Sequence, residues 1–174
     1  MRIRAAIAVP AVSAAAAALL LTAPPSQAAE AHAKTARCAE KVLTLRAKAA
    51  SDDPSVVRVS VTNRGTRACA VDRVPTVTFG DLDGAALPVP EGGSGTYRLA
   101  AGRTAYAAVR TIADPADPEA RRVDAITVAA SASQGGRSFT AAQLGTGSEV
   151  LVWEPVTTWW QPTAAAADRA LGLN

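Results

Sequence analysis

Between positions 57 and 62 the chain sets Val57, Val59 and Val61 against Arg58, Ser60 and Thr62. A period of two puts the valines on one face and the polar residues on the other, the pattern of a strand with one buried and one wet side. The same reading recurs along the chain. Val42–Ala47, Ala68–Val71, Thr76–Phe79, Tyr97–Leu99, Thr104–Ile112, Val123–Ser131, Ser138–Thr140 and Glu149–Trp153 are strand candidates, rich in β-branched and apolar residues. Turn residues separate them: Asp52-Asp-Pro54, Asn63-Arg-Gly65, a hairpin-type turn at Asp81-Leu-Asp-Gly84, a flexible Gly92-Gly-Ser-Gly95 loop, Ala101-Gly102, a stiff acidic Asp114–Pro118 loop and Gly135-Gly136. Leu87-Pro-Val-Pro90 is expected to be extended, and prolines without an N–H belong on an edge strand.

About seven to nine short strands with frequent turns predict an all-β fold, an antiparallel β-sandwich of immunoglobulin-like architecture. The expected boundaries are a signal peptide at 1–28, a flexible lead-in at 29–37, one sandwich domain at 38–160 and a C-terminal tail at 161–174. Within the tail, Thr163–Leu171 has enough Ala for one or two helical turns, which are marginal in water unless docked.

The first 28 residues set the expected compartment. Arg2 and Arg4 precede an apolar run, Ala5–Leu21, which is followed by Ser26 and Ala28 at the −3 and −1 positions of a cleavage site. That order describes a secretory signal, and Pro10 within an Ala-rich run makes a poor permanent anchor. A secreted protein, extracellular or wall-associated and with no stable membrane insertion after cleavage, is the expectation. Lys34–Arg37 ahead of Cys38 argues against lipid attachment there, because small apolar residues precede a lipidated cysteine.

Of 18 Lys and Arg, two lie in the signal, which leaves 16 against 15 Asp and Glu. Both signs are scattered in sequence, with no basic run beyond Arg121-Arg122, so a nucleic-acid partner is not expected. Cys38 and Cys69 are the only cysteines, and in an oxidising compartment they have one intramolecular pairing open to them. A redox couple or a metal site is disfavoured, since there is no C-x-x-C spacing and the single His, His32, lies in the lead-in.

Three segments form a connected pattern: Cys38 ahead of a strand; Val59-Ser-Val-Thr-Asn-Arg-Gly-Thr-Arg-Ala-Cys69 followed by Val74-Pro-Thr-Val77; and Leu99-Ala-Ala-Gly-Arg-Thr-Ala-Tyr-Ala107. Together they resemble an exported family of actinobacteria catalogued as domain of unknown function 4232. Asn63 and Cys69 match the core of its first motif. Asp72 and Arg73 stand where the family usually has Gly ahead of the Pro, and Ala101 stands in place of a Pro in the third motif. The resemblance spans about Cys38 to Trp153. It implies an exported β-sandwich and assigns no catalytic residue.

No constellation for covalent catalysis stands out. Ser–His–Asp and Cys–His devices need a rigidly held His, and Gly92–Thr96 does not form a nucleophile elbow. Asp81-Leu-Asp-Gly84 lacks the further ligands of a calcium loop and reads as a solvated turn. Asp114, Asp117 and Glu119 sit in a proline-bounded loop and read as surface. No catalytic residue, metal or cofactor is therefore expected.

The three Trp cluster near the C-terminus. Alternation puts Trp153 on a core or seam position. Adjacent Trp159 and Trp160 point to opposite sides of an extended segment, so one of them is a candidate for contact with a partner. The leading expectation is an exported non-catalytic module that binds a protein or an envelope component outside the cell, by Trp159 and Trp160 or by the loops around Gly92 and Asp114. The alternatives are a secreted hydrolase working with carboxylates alone and a secreted inhibitor or structural protein.

Overall fold

The computed structural model describes residues 35–173. The segment 1–28 and most of the lead-in lie outside the described residues. The valine alternation forms the interior of β2 (Val56–Asn63), which pairs antiparallel with β1 (Leu43–Ala49) on one side and β7 (Thr104–Arg110) on the other. Val57, Val59 and Val61 are buried, while Arg58, Ser60 and Thr62 look outward. The sheet continues through β12 (Val156–Thr158) to β5 (Leu87–Val89) in the order β1-β2-β7-β12-β5. A second sheet, β10-β9-β4, joins Arg137–Thr140, Ala125–Ala129 and Thr76–Phe79. Two ribbons complete the sandwich: β3 (Cys69–Asp72) with β6 (Thr96–Leu99), and β11 (Val150–Val152) with β8 (Arg121–Val123).

All four sheets feed one core. The long sheet contributes Leu45, Val57, Val59, Val61, Ala107 and Val109. The others contribute Val77, Phe79, Ile126 and Val128 from β4 and β9, and Val71, Leu99, Val123 and Val150 from the ribbons. The all-β sandwich expected from the alternation is the observed fold.

Three details differ from the sequence reading. Val123–Ser131 is broken into β8 and β9 at Asp124. Val123 and Ile126 both face inward, three residues apart, so the period of two slips by one there and each half finds a different partner. The turn at Asp81–Gly84 does not make a hairpin, because β4 pairs with β9 while β5 crosses to the long sheet. Finally, β5 runs parallel to β12 rather than antiparallel. Its prolines confine it to the sheet edge, as expected, with a single neighbour.

The end of the lead-in is held rather than free. Ala36 and Cys38 bracket Ala70, whose N–H donates to the Ala36 carbonyl (2.8 Å) and whose carbonyl accepts from Cys38 N–H (2.9 Å), and Arg37 ion-pairs with Asp72. The Cys38–Cys69 disulfide lies directly beside this contact, with the two Cα atoms 4.9 Å apart.

The C-terminal tail docks. Gln161 exchanges backbone hydrogen bonds with Tyr106 (2.7 and 2.9 Å), and Thr163 then caps α2 (Ala164–Ala170) by accepting from Ala166 N–H. Ala167 and Leu171, one turn apart, cover Ala50, Val56 and Ala108 on the outer face of the long sheet. Asp168 takes both bonds of the Arg58 Nε–H, at 3.0 and 3.1 Å. That hydrogen bond is the first cause that holds the Arg58 guanidinium above its ordinary pKa; burial opposes it, and the charges of Asp168 and Asp52 add to it. A raised basic group keeps its contribution to stability below its ordinary value and loses it only as pH climbs through the raised one, so on the Arg58 side the pair persists through the neutral range. Leu171→Ala is expected to cost about 2 kcal/mol and to speed hydrogen exchange at the α2 amides. Unchanged exchange there would show that the helix is held without its apolar contact.

Candidate functional site

The Trp pair resolves by strand geometry. Both residues follow β12, and Trp160 turns inward, 3% exposed, as part of the main core, its backbone N–H donating to the Arg73 carbonyl (3.0 Å). The binding role expected for Trp160 is therefore corrected: its ring packs the end of the sandwich and is not presented to a partner. Trp159 faces the other way and is half-buried.

Around Trp159 the structure gathers residues that are distant in sequence. Its indole Nε1–H donates to the Pro90 carbonyl at 3.1 Å, which fixes the ring plane. The Arg73 guanidinium lies over the ring, 4.9 Å from its centre, in cation–π contact. Gly93, at φ 106°, closes against the same side chain. A Cβ built there would meet Val74 Cγ2 at 2.4 Å and Trp159 Nε1 at 3.0 Å, so only glycine fits. Gly93 therefore closes on the indole while Gly92, Ser94 and Gly95 are exposed, and the loop is tied at its end by the Arg73 N–H, which donates to the Gly95 carbonyl (3.1 Å). Beside it lies a shallow depression of about 380 Å³, bordered by Val74, Pro75, Pro88 and the glycine loop. Arg73 has no carboxylate partner among the described residues, and its Nε meets no acceptor there. The result is an oriented aromatic ring beneath a half-buried guanidinium whose charge no carboxylate among the described residues offsets.

Sequence reasoning reached Trp159 and the Gly92 loop but missed Arg73 and Pro90. In sequence Arg73 is only a departure from the family's Gly ahead of the Pro, and Pro90 only an edge-strand proline. The return of β12 beside β5 brings Pro90 to the ring, and the bond from Trp160 N–H to the Arg73 carbonyl holds Arg73 beside it.

The other expected positions fall elsewhere. Asp114 accepts from Ala116 N–H (2.9 Å) and Asp117 from Glu119 N–H (2.8 Å), so these carboxylates brace their own loop. Asp81 and Asp83 are exposed at the mouth of a depression of about 500 Å³ that Trp153 and Glu154 also line. Trp153 is half-buried at the seam, while Val150 and Val152 on the opposite face are in the core.

The residues of the resemblance motifs meet at one point, and it is structural. Asn63, fully buried, donates from Nδ2 to the carbonyls of Arg67 (2.8 Å) and Leu99 (3.1 Å) and accepts from Gly65 N–H (2.8 Å). Its carbonyl accepts from Gly102 N–H (2.8 Å), and Cys69 pairs in register with Leu99. One side chain thus ties the β2–β3 turn to the β6–β7 turn.

A disulfide-linked β-sandwich whose signature residues lock two turns together, with an aromatic–cation surface at its rim, is the class of protein that these observations define. The chain belongs to the family described as domain of unknown function (DUF4232), whose model matches residues 38–160. No curated protein and no solved structure matches the chain.

Proposed function

We propose that the chain is an exported, non-catalytic binding module that engages a protein or envelope component outside the cell through the surface built on Trp159 and Arg73. The observation that carries this reading is the preorganised ring: a half-buried indole held by Pro90, with a cation stacked on it that has no carboxylate partner among the described residues. Rigid aromatic and arginine side chains at a surface are the groups that anchor interfaces, because little entropy is lost when they are covered. Export is supported by the composition of residues 1–28 and by the buried disulfide, a bond that persists in oxidising compartments.

Tryptophan emission of the purified protein, recorded while secreted-protein and wall fractions are added, tests this reading. A shift or quench that is lost in Trp159→Phe is the expected result. Trp160, being in the core, supplies a constant background. A shift that survives the substitution would move the site away from Trp159, and emission unmoved by every fraction would remove the recognition role.

A further inference from the structure

Basic residues that are scattered in sequence converge on the outer face of the long sheet. In the register of β1 and β2, Arg46 stands opposite Ser60 and Lys48 opposite Arg58, all on the face away from the core. From β10, in the other sheet, Arg137 reaches the same place, its guanidinium 4.9 Å from the centre of the Phe139 ring. These four cations line one groove of about 520 Å³, floored by β1 and β2 and flanked by Gln143 of α1 (Ala141–Leu144) and the start of α2. No carboxylate lines it. Asp168 and Asp52 engage Arg58, while Arg46, Lys48 and Arg137 are in no ion pair among the described residues.

Charged side chains on an edge strand protect it from pairing with other chains, and Arg46 and Lys48 on β1 serve that purpose. Arg58, across from Lys48, is already engaged by Asp168 and Asp52, so Lys48 is left as a cation of the edge strand without a carboxylate of its own. Edge protection does not account for Arg137 arriving from the second sheet.

We infer that this groove binds a linear phosphodiester polymer that carries no bases. Arg46 and Lys48, two residues apart on one face of β1, have backbones about 6.8 Å apart along the strand, within reach of successive phosphates joined by a short spacer such as three carbons. Guanidinium groups meet phosphate oxygens in a two-pronged fork, and two of the three cations without a carboxylate partner are arginines, Arg137 being steered over the groove by Phe139 and by its bond to the Leu45 carbonyl. Of the two aromatic rings that line the groove, Phe139 is buried at 5% exposure beneath Arg137, and Tyr106 is half-buried with one side packed against the α2 cluster, which leaves little aromatic surface for stacked bases. This surface is separate from Trp159, and the inference takes from the proposed function only that the polymer is met outside the cell.

Binding of fluorescently labelled poly(glycerol phosphate) to the purified protein, measured by anisotropy over a range of salt, is the test. With three phosphates engaged, the logarithm of the affinity is expected to fall with the logarithm of salt at a slope of about −2. Arg46→Gln with Lys48→Gln is expected to lower affinity about tenfold or more and to flatten the slope to about −0.7. The melting temperature of Lys48→Gln alone should hold or rise, which separates lost binding from lost folding. A salt-independent signal, a double variant that binds like the parent, or equal binding of polyglutamate or of a single-stranded oligonucleotide would overturn the inference. Any of these outcomes with the Trp159-dependent emission change intact would remove the polymer and leave the proposed function standing.

Discussion

Asn63→Leu is expected to destabilise the protein by about 3 kcal/mol, because the leucine fills the space but makes none of the three side-chain bonds of the native residue. The Leu99 carbonyl would be left without its partner in a buried site, and the Arg67 carbonyl and Gly65 N–H would lose theirs in a part-buried turn. Each such orphan costs about 1 kcal/mol or more. For a domain of this size the loss corresponds to a fall in melting temperature of about 12 °C. Asn63→Asp sharpens the test. The carboxylate still accepts from Gly65 but turns a negative oxygen toward two carbonyls, so it should fold no better than the leucine variant although it differs from Asn by one group. A thermal scan in which Asn63→Asp melts like the parent would show that the two Nδ2 bonds contribute little and that the turns are held by their backbone.

Cys69→Ser should be comparably damaging by a different physical route. The bond closes a loop of 31 residues, for which the chain-entropy argument gives about 3.7 kcal/mol. The effect lies mainly in the unfolded chain, which gains freedom once the link is gone. Denaturant unfolding should therefore show a lower midpoint together with a steeper dependence on denaturant, since a less constrained chain exposes more surface. The parent protein under reducing conditions should follow the variant. Equal midpoints for parent and variant would mean that the contact between Ala36–Cys38 and Ala70 holds this corner without the bond.

The two predictions concern neighbouring residues, and their proximity explains why the family motif is informative about fold and silent about ligand. Asn63, Cys69, Leu99 and Gly102 are separated by up to 39 positions in sequence yet form one junction between two turns. Their chemistry is consumed within the protein. The surfaces proposed to meet partners are made by Arg73, Trp159, Arg46, Lys48 and Arg137, of which only Trp159 stands out in sequence by its chemistry. An arginine on a strand looks the same whether it is solvated singly or converges with others. Strand register makes the difference, and register depends on contacts between segments far apart in the chain.

Local physics also explains which elements could be read. Where one face is buried and the other is wet, as in β2, alternation alone reveals the strand. It failed at Asp124, where an extra residue resets the phase, and at β12, three residues between Pro155 and Trp159 that become a strand only by pairing with β7 and β5. The tail helix was legible as a weak helix, but its docking depended on an apolar stripe on the outside of the sheet, Val56 and Ala108, which strand alternation would have left in water.

Sequence by itself determined the β class, the inward faces of the longer strands, the edge position of the proline-bearing β5 and the pairing of the only two cysteines, because each follows from local periodicity, a missing N–H or simple arithmetic. Tertiary structure alone decided that Trp160 is core while Trp159 is held at the surface beneath Arg73, that α2 covers Val56 and Ala108 on an outer face, and that four dispersed cations share one groove. Those outcomes rest on which strands become neighbours, and neighbours are chosen by burial summed over the whole chain rather than by any segment's own preference.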